Sequence, residues 1–211
     1  MVNILCYGDS NTYGYDPETG LRYPKDVRWT GVLQNILGSD YNVIEEGLNG
    51  RTTVFDDPND DWKNGLDYVR GIVCTHRPVD VFVVMLGTND LKACFGASPE
   101  EITSGLGKVI VSALDTLEKK QGFRPKVLIV SPVVLTDVEN GPFAASFDAG
   151  SVERSKHLAG CYGVLSKKLM ASFLNAAEVT PPSKTDGVHL DRKGHKLLGT
   201  AIGYTLLKNV C

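Results

Sequence analysis

Four short blocks of this sequence carry groups that catalysis can use. Gly8-Asp9-Ser10 presents a hydroxyl after a glycine, and Gly47-Leu48-Asn49-Gly50 presents backbone unobstructed by a Cβ. Gly87-Thr88-Asn89-Asp90 offers a side-chain amide, and Asp186-Gly187-Val188-His189 offers a carboxylate and an imidazole. Together they supply the parts of an acyl-transfer site: a hydroxyl nucleophile, a base, a group to orient the base, and donors for an oxyanion. Asp186 and His189 are three positions apart with Gly187 between them, and a turn holds such residues within about 7 Å between Cα atoms. A carboxylate so placed can hold Nδ1–H and leave Nε2 to take a proton from Ser10.

The remaining blocks would serve the developing negative charge. The amide of Asn89 can donate to it, Gly50 lets backbone approach a substrate closely, and the N–H of Ser10 can point into the same space. Each block also has a plain structural reading. Ser10 can cap a helix, Asp186 to His189 can be an exposed polar turn, Asn89 can tie down its own loop, and Gly50 can answer only a need for positive φ. The weight lies in their occurring together.

Positioning these blocks falls to a series of apolar runs. Residues 2–7 (VNILCY), 42–45 (NVIE), 79–86 (VDVFVVML), 126–131 (KVLIVS) and, more weakly, 172–176 (SFLNA) read as strands. Helical patterns at 28–37, 64–76, 99–119, 150–171 and 192–209 lie between and after them, with Pro99 and Asp191 at helix starts. This alternation predicts an α/β fold with a parallel sheet covered on both faces. Ligands bind beyond the carboxyl ends of such strands, and four of the five runs lead into one of the four blocks. The apolar stripes of the helices, such as Leu197, Leu198, Ala201, Ile202 and Leu206, read as core.

Two connections are longer than they need to be, 51–63 and 132–149. The first holds the acidic stretch Asp56 to Asp61, which lacks the ligand alternation of a calcium loop and reads as a solvated turn. The second holds Phe143 and Phe147, candidates for lining a pocket, an interface or simply their own loop. Of the other histidines, His195 and His157 fall within helices and His76 ends one; none has a carboxylate beside a strand end. Cys94, just beyond Asn89, has no evident base and reads as loop packing or pocket lining.

The chain of 211 residues, 42% hydrophobic and 22% charged, suits one soluble globular domain over 1–211. A formal charge of −3 without basic clusters leaves nothing to neutralise a phosphate backbone, so nucleic acid is not an expected partner. No apolar run approaches the roughly 18 residues of a membrane span. The start of the sequence has no secretory pattern, which predicts a cytoplasmic protein. Five cysteines without a C-x-x-C pair are expected to be free thiols.

At these residues the sequence resembles the SGNH, or GDSL-like, hydrolase family. The matches are Gly8-Asp9-Ser10, Gly50, Gly87-Thr88-Asn89-Asp90 and Asp186-Gly187-Val188-His189, spread over nearly the whole chain. The resemblance implies a flavodoxin-like three-layer fold with strand order 2-1-3-4-5, a Ser10–His189–Asp186 triad, and an oxyanion hole from Ser10, Gly50 and Asn89. It implies no metal and no cofactor. Asp26 to Leu33, Glu45 to Leu48 and Arg51-Thr52-Thr53 look like the branch of small bacterial arylesterases and acyltransferases, some of which form oligomers, so a homo-oligomer is a possible assembly. The expected substrate is a small short-chain ester. Asn11 departs from the Leu usual after the nucleophile, a change that bears on the local pocket and substrate preference.

Related readings keep the site and change the substrate: a sugar O-acetyl esterase, a thioesterase or a lysophospholipase. A different class altogether is a flavodoxin-like module whose Gly8 to Thr12 loop cradles a phosphate or flavin. That reading leaves Asn89, Asp186 and His189 without a task.

Overall fold

The computed structural model describes residues 1–209. Five strands, β1 (Val2–Gly8), β2 (Tyr41–Gly47), β3 (Val81–Met85), β4 (Lys126–Ser131) and β5 (Ser172–Asn175), form one parallel sheet in the order β2-β1-β3-β4-β5. This is the order that the resemblance implies. The helices are α1 (Ser10–Tyr13), α2 (Trp29–Leu37), α3 (Gly65–Thr75), α4 (Pro99–Gln121), α5 (Ala149–Lys168) and α6 (Arg192–Asn209).

Alternate residues of the central strands face two separate cores, which is why those strands read as unbroken apolar runs. Leu5, Tyr7, Phe82, Val84 and Ile129 pack with residues of α3, α4 and α5. Ile4, Cys6, Val83, Met85 and Leu128 pack with α2 and α6. Truncating one of these fully buried side chains to alanine would cost about 2–5 kcal/mol. β5, at the edge, is only half-buried along its length, and its sequence pattern is correspondingly weak.

β2 extends beyond the four residues expected, because each residue of β1 finds a partner in it, from Val2 opposite Tyr41 to Gly8 opposite Gly47. The polar pair Glu45-Glu46, a poor strand sequence, is satisfied from outside the sheet. Glu45 accepts from the Thr30 hydroxyl at 2.5 Å and pairs with Arg28 at 3.1 Å. Glu46 meets Nε2 of His76 at 2.7 Å. His76 therefore does have a carboxylate at a strand end, contrary to the sequence reading, since the end of α3 returns beside β2.

Helix ends follow local chemistry. α4 starts with a capping box between Ser98 and Glu101 and a proline at its first turn, and stops at Gly122 with φ 85°. Arg28, at the cap of α2, gives no side-chain acceptor; instead the Trp29 N–H donates to Nδ1 of His195 at 3.2 Å. His195 is fully buried on α6, and burial, reinforced by the charges of His189 and Arg28, lowers its pKa from 6.5 to about 3. Gly199 lets α6 lie against α2, where a Cβ would come within 2.6 Å of the Trp29 carbonyl.

The acidic stretch is not wholly solvated. The Asp57 carboxylate is buried and paired with Lys92 at 2.5 Å, which ties the 51–63 loop to the segment after β3. Cys6, Cys74, Cys94 and Cys161 are free thiols, while Cys211 lies outside the described residues. Among the described residues no helix is long and apolar enough to cross a membrane.

Candidate active site

β1 ends at Gly8, and the chain turns at once into the four-residue helix α1, which is not among the helical patterns read from the sequence. Asp9, not Ser10, is its N-cap, accepting the Asn11 N–H at 2.9 Å. Gly8 is needed for this tight turn, since a Cβ there would overlap Thr12. Ser10 is thereby placed at the first position of a helix, at the carboxyl edge of the sheet, with its hydroxyl uncommitted to capping.

That hydroxyl lies 2.8 Å from Nε2 of His189, and Nδ1 of the same ring lies 2.6 Å from Oδ2 of Asp186. An ionised carboxylate only accepts, so Nδ1 carries the proton and Nε2 is left as the acceptor facing Ser10. Oδ1 of Asp186 accepts the N–H groups of Val188 and His189, both at 2.9 Å, so one carboxylate fixes the ring and the backbone that carries it. Burial raises the Asp186 pKa, but the hydrogen bonds and charge of His189 outweigh it and the net shift is downward. All three side chains are buried, at 5%, 2% and 5% relative exposure for Ser10, Asp186 and His189.

The Asp186–His189 turn needs its glycine. Gly187 has φ 70°, and a Cβ there would sit 1.6 Å from the Thr136 carbonyl oxygen. Thr136 donates back to the Gly187 carbonyl at 3.0 Å, and the Ser183 N–H donates to the His189 carbonyl at 2.7 Å. The imidazole is held laterally by aromatic rings, Tyr15 at 4.4 Å and Phe143 at 5.2 Å between centroids.

On the other side of Ser10, Gly50 and Asn89 line the same cavity of about 170 Å³. Gly50 has φ 81°, so its glycine is required by backbone conformation, and an added Cβ would meet only the Lys63 side chain. One N–H of the Asn89 amide donates to the Arg51 carbonyl at 3.1 Å. An amide has two such hydrogens, so tying down its loop leaves one to serve as a donor. Both sequence readings of Asn89 are thus compatible.

The loop carrying Gly50 is fixed by residues that sequence reasoning gave no role. Arg51 is buried, with its guanidinium 4.2 Å over the Tyr7 ring, and donates to the carbonyls of Gly8 and Glu46 at the ends of β1 and β2. Asp90 accepts from the Thr53 N–H at 2.9 Å and from the Thr53 hydroxyl, joining the Gly50 loop to the Asn89 turn. Burial pushes the Asp90 pKa up to about 7 despite these bonds, and that of Asp9 to about 6. Full burial of a carboxylate beside a site is not visible in sequence.

Phe143 and Phe147 both line the cavity, joined by Tyr15, Asn49, Lys92, Ser146 and Val188. The 132–149 loop therefore supplies one wall. Cys94 is exposed and does not line it. Asn11 does not line it either. Its Oδ1 accepts the Leu190 N–H at 2.9 Å and its Nδ2 reaches the Val188 carbonyl at 3.4 Å, so the departure from Leu acts on the base loop and not on the pocket wall.

Comparison with known proteins shows the family and the fold. Residues 6–197 match a family model described as GDSL-like Lipase/Acylhydrolase. Est24, a carbohydrate acetylesterase from Sinorhizobium meliloti, is 38% identical over 99% of each chain, with a TM-score of 0.93. An aryl esterase from M. smegmatis is also 38% identical over 99% of each chain, with a TM-score of 0.92. A putative arylesterase from Agrobacterium tumefaciens is 36% identical over 99% of each chain, with a TM-score of 0.88. A search of curated proteins finds none that matches.

Proposed function

Because the chain belongs to the GDSL-like lipase/acylhydrolase family, we propose that it hydrolyses small short-chain esters with Ser10 as nucleophile, His189 as base and Asp186 as its orienting carboxylate. The enzyme is a carboxylic ester hydrolase, in keeping with its esterase neighbours. The observation that carries the residue assignment is the buried chain Asp186 Oδ2, His189 Nδ1, His189 Nε2, Ser10 Oγ, closed by contacts of 2.6 and 2.8 Å.

In this reading the Ser10 oxygen attacks the ester carbonyl as its proton passes to Nε2 of His189. Asp186 stabilises the imidazolium without taking the proton. The oxyanion is held by the N–H groups of Ser10 and Gly50 and by the amide of Asn89. His189 then protonates the departing alcohol oxygen, leaving an acyl group on Ser10. Water attacks the acyl carbonyl, giving its proton to Nε2, and the acid leaves as Ser10 recovers its own. An alcohol in place of that water gives acyl transfer by the same steps.

The small cavity supports a short acyl group. Its walls divide by character, with Tyr15, Phe143 and Phe147 apolar and Asn49, Lys92 and Ser146 polar. The apolar side suits an aryl or alkyl leaving group. The polar side, together with the acetylesterase neighbour, supports an O-acetylated sugar as the second reading. The phosphate-cradle reading is disfavoured, because the buried Asp9 carboxylate occupies the cap of α1 where the anion would sit.

The test compares wild type with Ser10→Ala on an activated aryl acetate, an acetylated sugar and an organophosphonate. Turnover with a single phosphonate adduct on Ser10, both lost in the variant, supports the assignment. Turnover that survives in Ser10→Ala removes Ser10 as the nucleophile, and the relative kcat/KM on the two esters chooses between substrates.

A further inference from the structure

We propose that Asn11 is a positioning residue for catalysis, clamping the loop that carries the base to the turn that carries the nucleophile. The inference rests on Ser10 and His189 being the reacting pair. Those two residues are 179 positions apart, and their contact at 2.8 Å depends on two separate loops keeping their relative place. Asn11 follows Ser10 directly and binds the chain on both sides of His189, accepting from Leu190 N–H at 2.9 Å and reaching Val188 O at 3.4 Å.

The orientation of this amide is settled by its partners. The Leu190 N–H can only donate, so it must meet the carbonyl oxygen of Asn11, which turns the NH₂ group toward the Val188 carbonyl. The shorter contact is a normal hydrogen bond and the longer one is weak, so the clamp acts mainly through Leu190. Asn11 is itself fixed, with its N–H on Asp9 and its side chain 4% exposed. On the far side, the Ser183 N–H holds the His189 carbonyl at 2.7 Å. The backbone around His189 is thus held by two segments, of which Asn11 belongs to the nucleophile's own turn.

A displacement of about 1 Å between reacting groups lowers a rate by roughly 100-fold. Leucine has nearly the shape of asparagine but neither its donor nor its acceptor, so Asn11→Leu isolates the clamp. With active sites counted by phosphonate titration, kcat on an aryl acetate should fall about 10- to 100-fold while KM stays within about two-fold. Hydrogen exchange of the peptide containing Leu190 should speed up by at least about 10-fold, a readout that needs no turnover.

A titrated kcat within two-fold of wild type overturns the proposal. So does a fall in kcat with unchanged exchange at Leu190, which would place the loss elsewhere. Wild-type protein that neither turns over nor labels at Ser10 removes the reacting pair, and Asn11's role with it. That outcome is recognised before any substitution is made.

Discussion

Replacing His195 by asparagine should make the protein markedly more resistant to acid than the natural sequence. Oδ1 of asparagine stands near the position of Nδ1 of histidine, so it can go on accepting the Trp29 N–H at the start of α2, but it cannot be protonated. In the folded protein burial lowers the His195 pKa from 6.5 to about 3, so between these values the unfolded chain binds a proton that the folded one refuses. Stability from this residue is therefore complete above pH 6.5 and is lost as pH falls toward 3. At about 1.4 kcal/mol per pH unit, roughly 3 kcal/mol is gone by pH 4 and about 5 kcal/mol in full. Asp9 and Asp90, whose pKa values are raised, act in the opposite sense, but they are present in both proteins and cancel in the difference. Urea unfolding of both at pH 7, 5 and 4 measures it. The variant loses packing against Tyr23 and starts less stable at pH 7, and the gap should close or reverse by about 3 kcal/mol at pH 4. A difference that stays constant within about 0.5 kcal/mol over that range would refute the reasoning, as would one that widens toward acid.

Asn89→Ala should lower kcat by about 10²–10³ with little change in KM, because in the proposed mechanism its donor serves the oxyanion and not the ground state. It should also cost about 1 kcal/mol of stability, since the Arg51 carbonyl loses its partner; steady-state kinetics with a wild-type kcat would remove Asn89 from the hole. Gly187→Ala should abolish activity and lower Tm together, because the new Cβ cannot avoid the Thr136 carbonyl. Gly38→Ala is the control, also at a positive φ of 78° but with open space around it, and should cost about 1–3 kcal/mol of backbone strain with activity intact.

The sequence was most legible where one residue's chemistry is enough. The fully apolar runs around Phe82 and Ile129 announce strands buried on both faces, and Asp186 and His189 announce their contact by spacing alone. Glu46 hid the end of β2, because the group that satisfies it, His76, comes from a distant segment. The short α1 was invisible for want of length, with no period to read in four residues. Asn11 looked like a pocket residue because only the fold reveals that its neighbours are Val188 and Leu190. Arg51 and Asp90 were overlooked for a similar reason, as their task is to hold backbone carbonyls and amides that carry no sequence signature.

The distance along the chain between Ser10 and His189 also orders events during synthesis. A growing polypeptide carries the proposed nucleophile from the first strand onward, yet makes the proposed base and its carboxylate only after all five strands and the four connections between them have been made. In the proposed mechanism Ser10 is until then an ordinary alcohol, with no base to take its proton. The same mechanism expects truncated products ending before the Asp186–His189 turn to be inactive. The connection after Gly122, between α4 and β4, divides the chain into one piece with the nucleophile and one with the base, so that ester cleavage from the two halves would report their association directly.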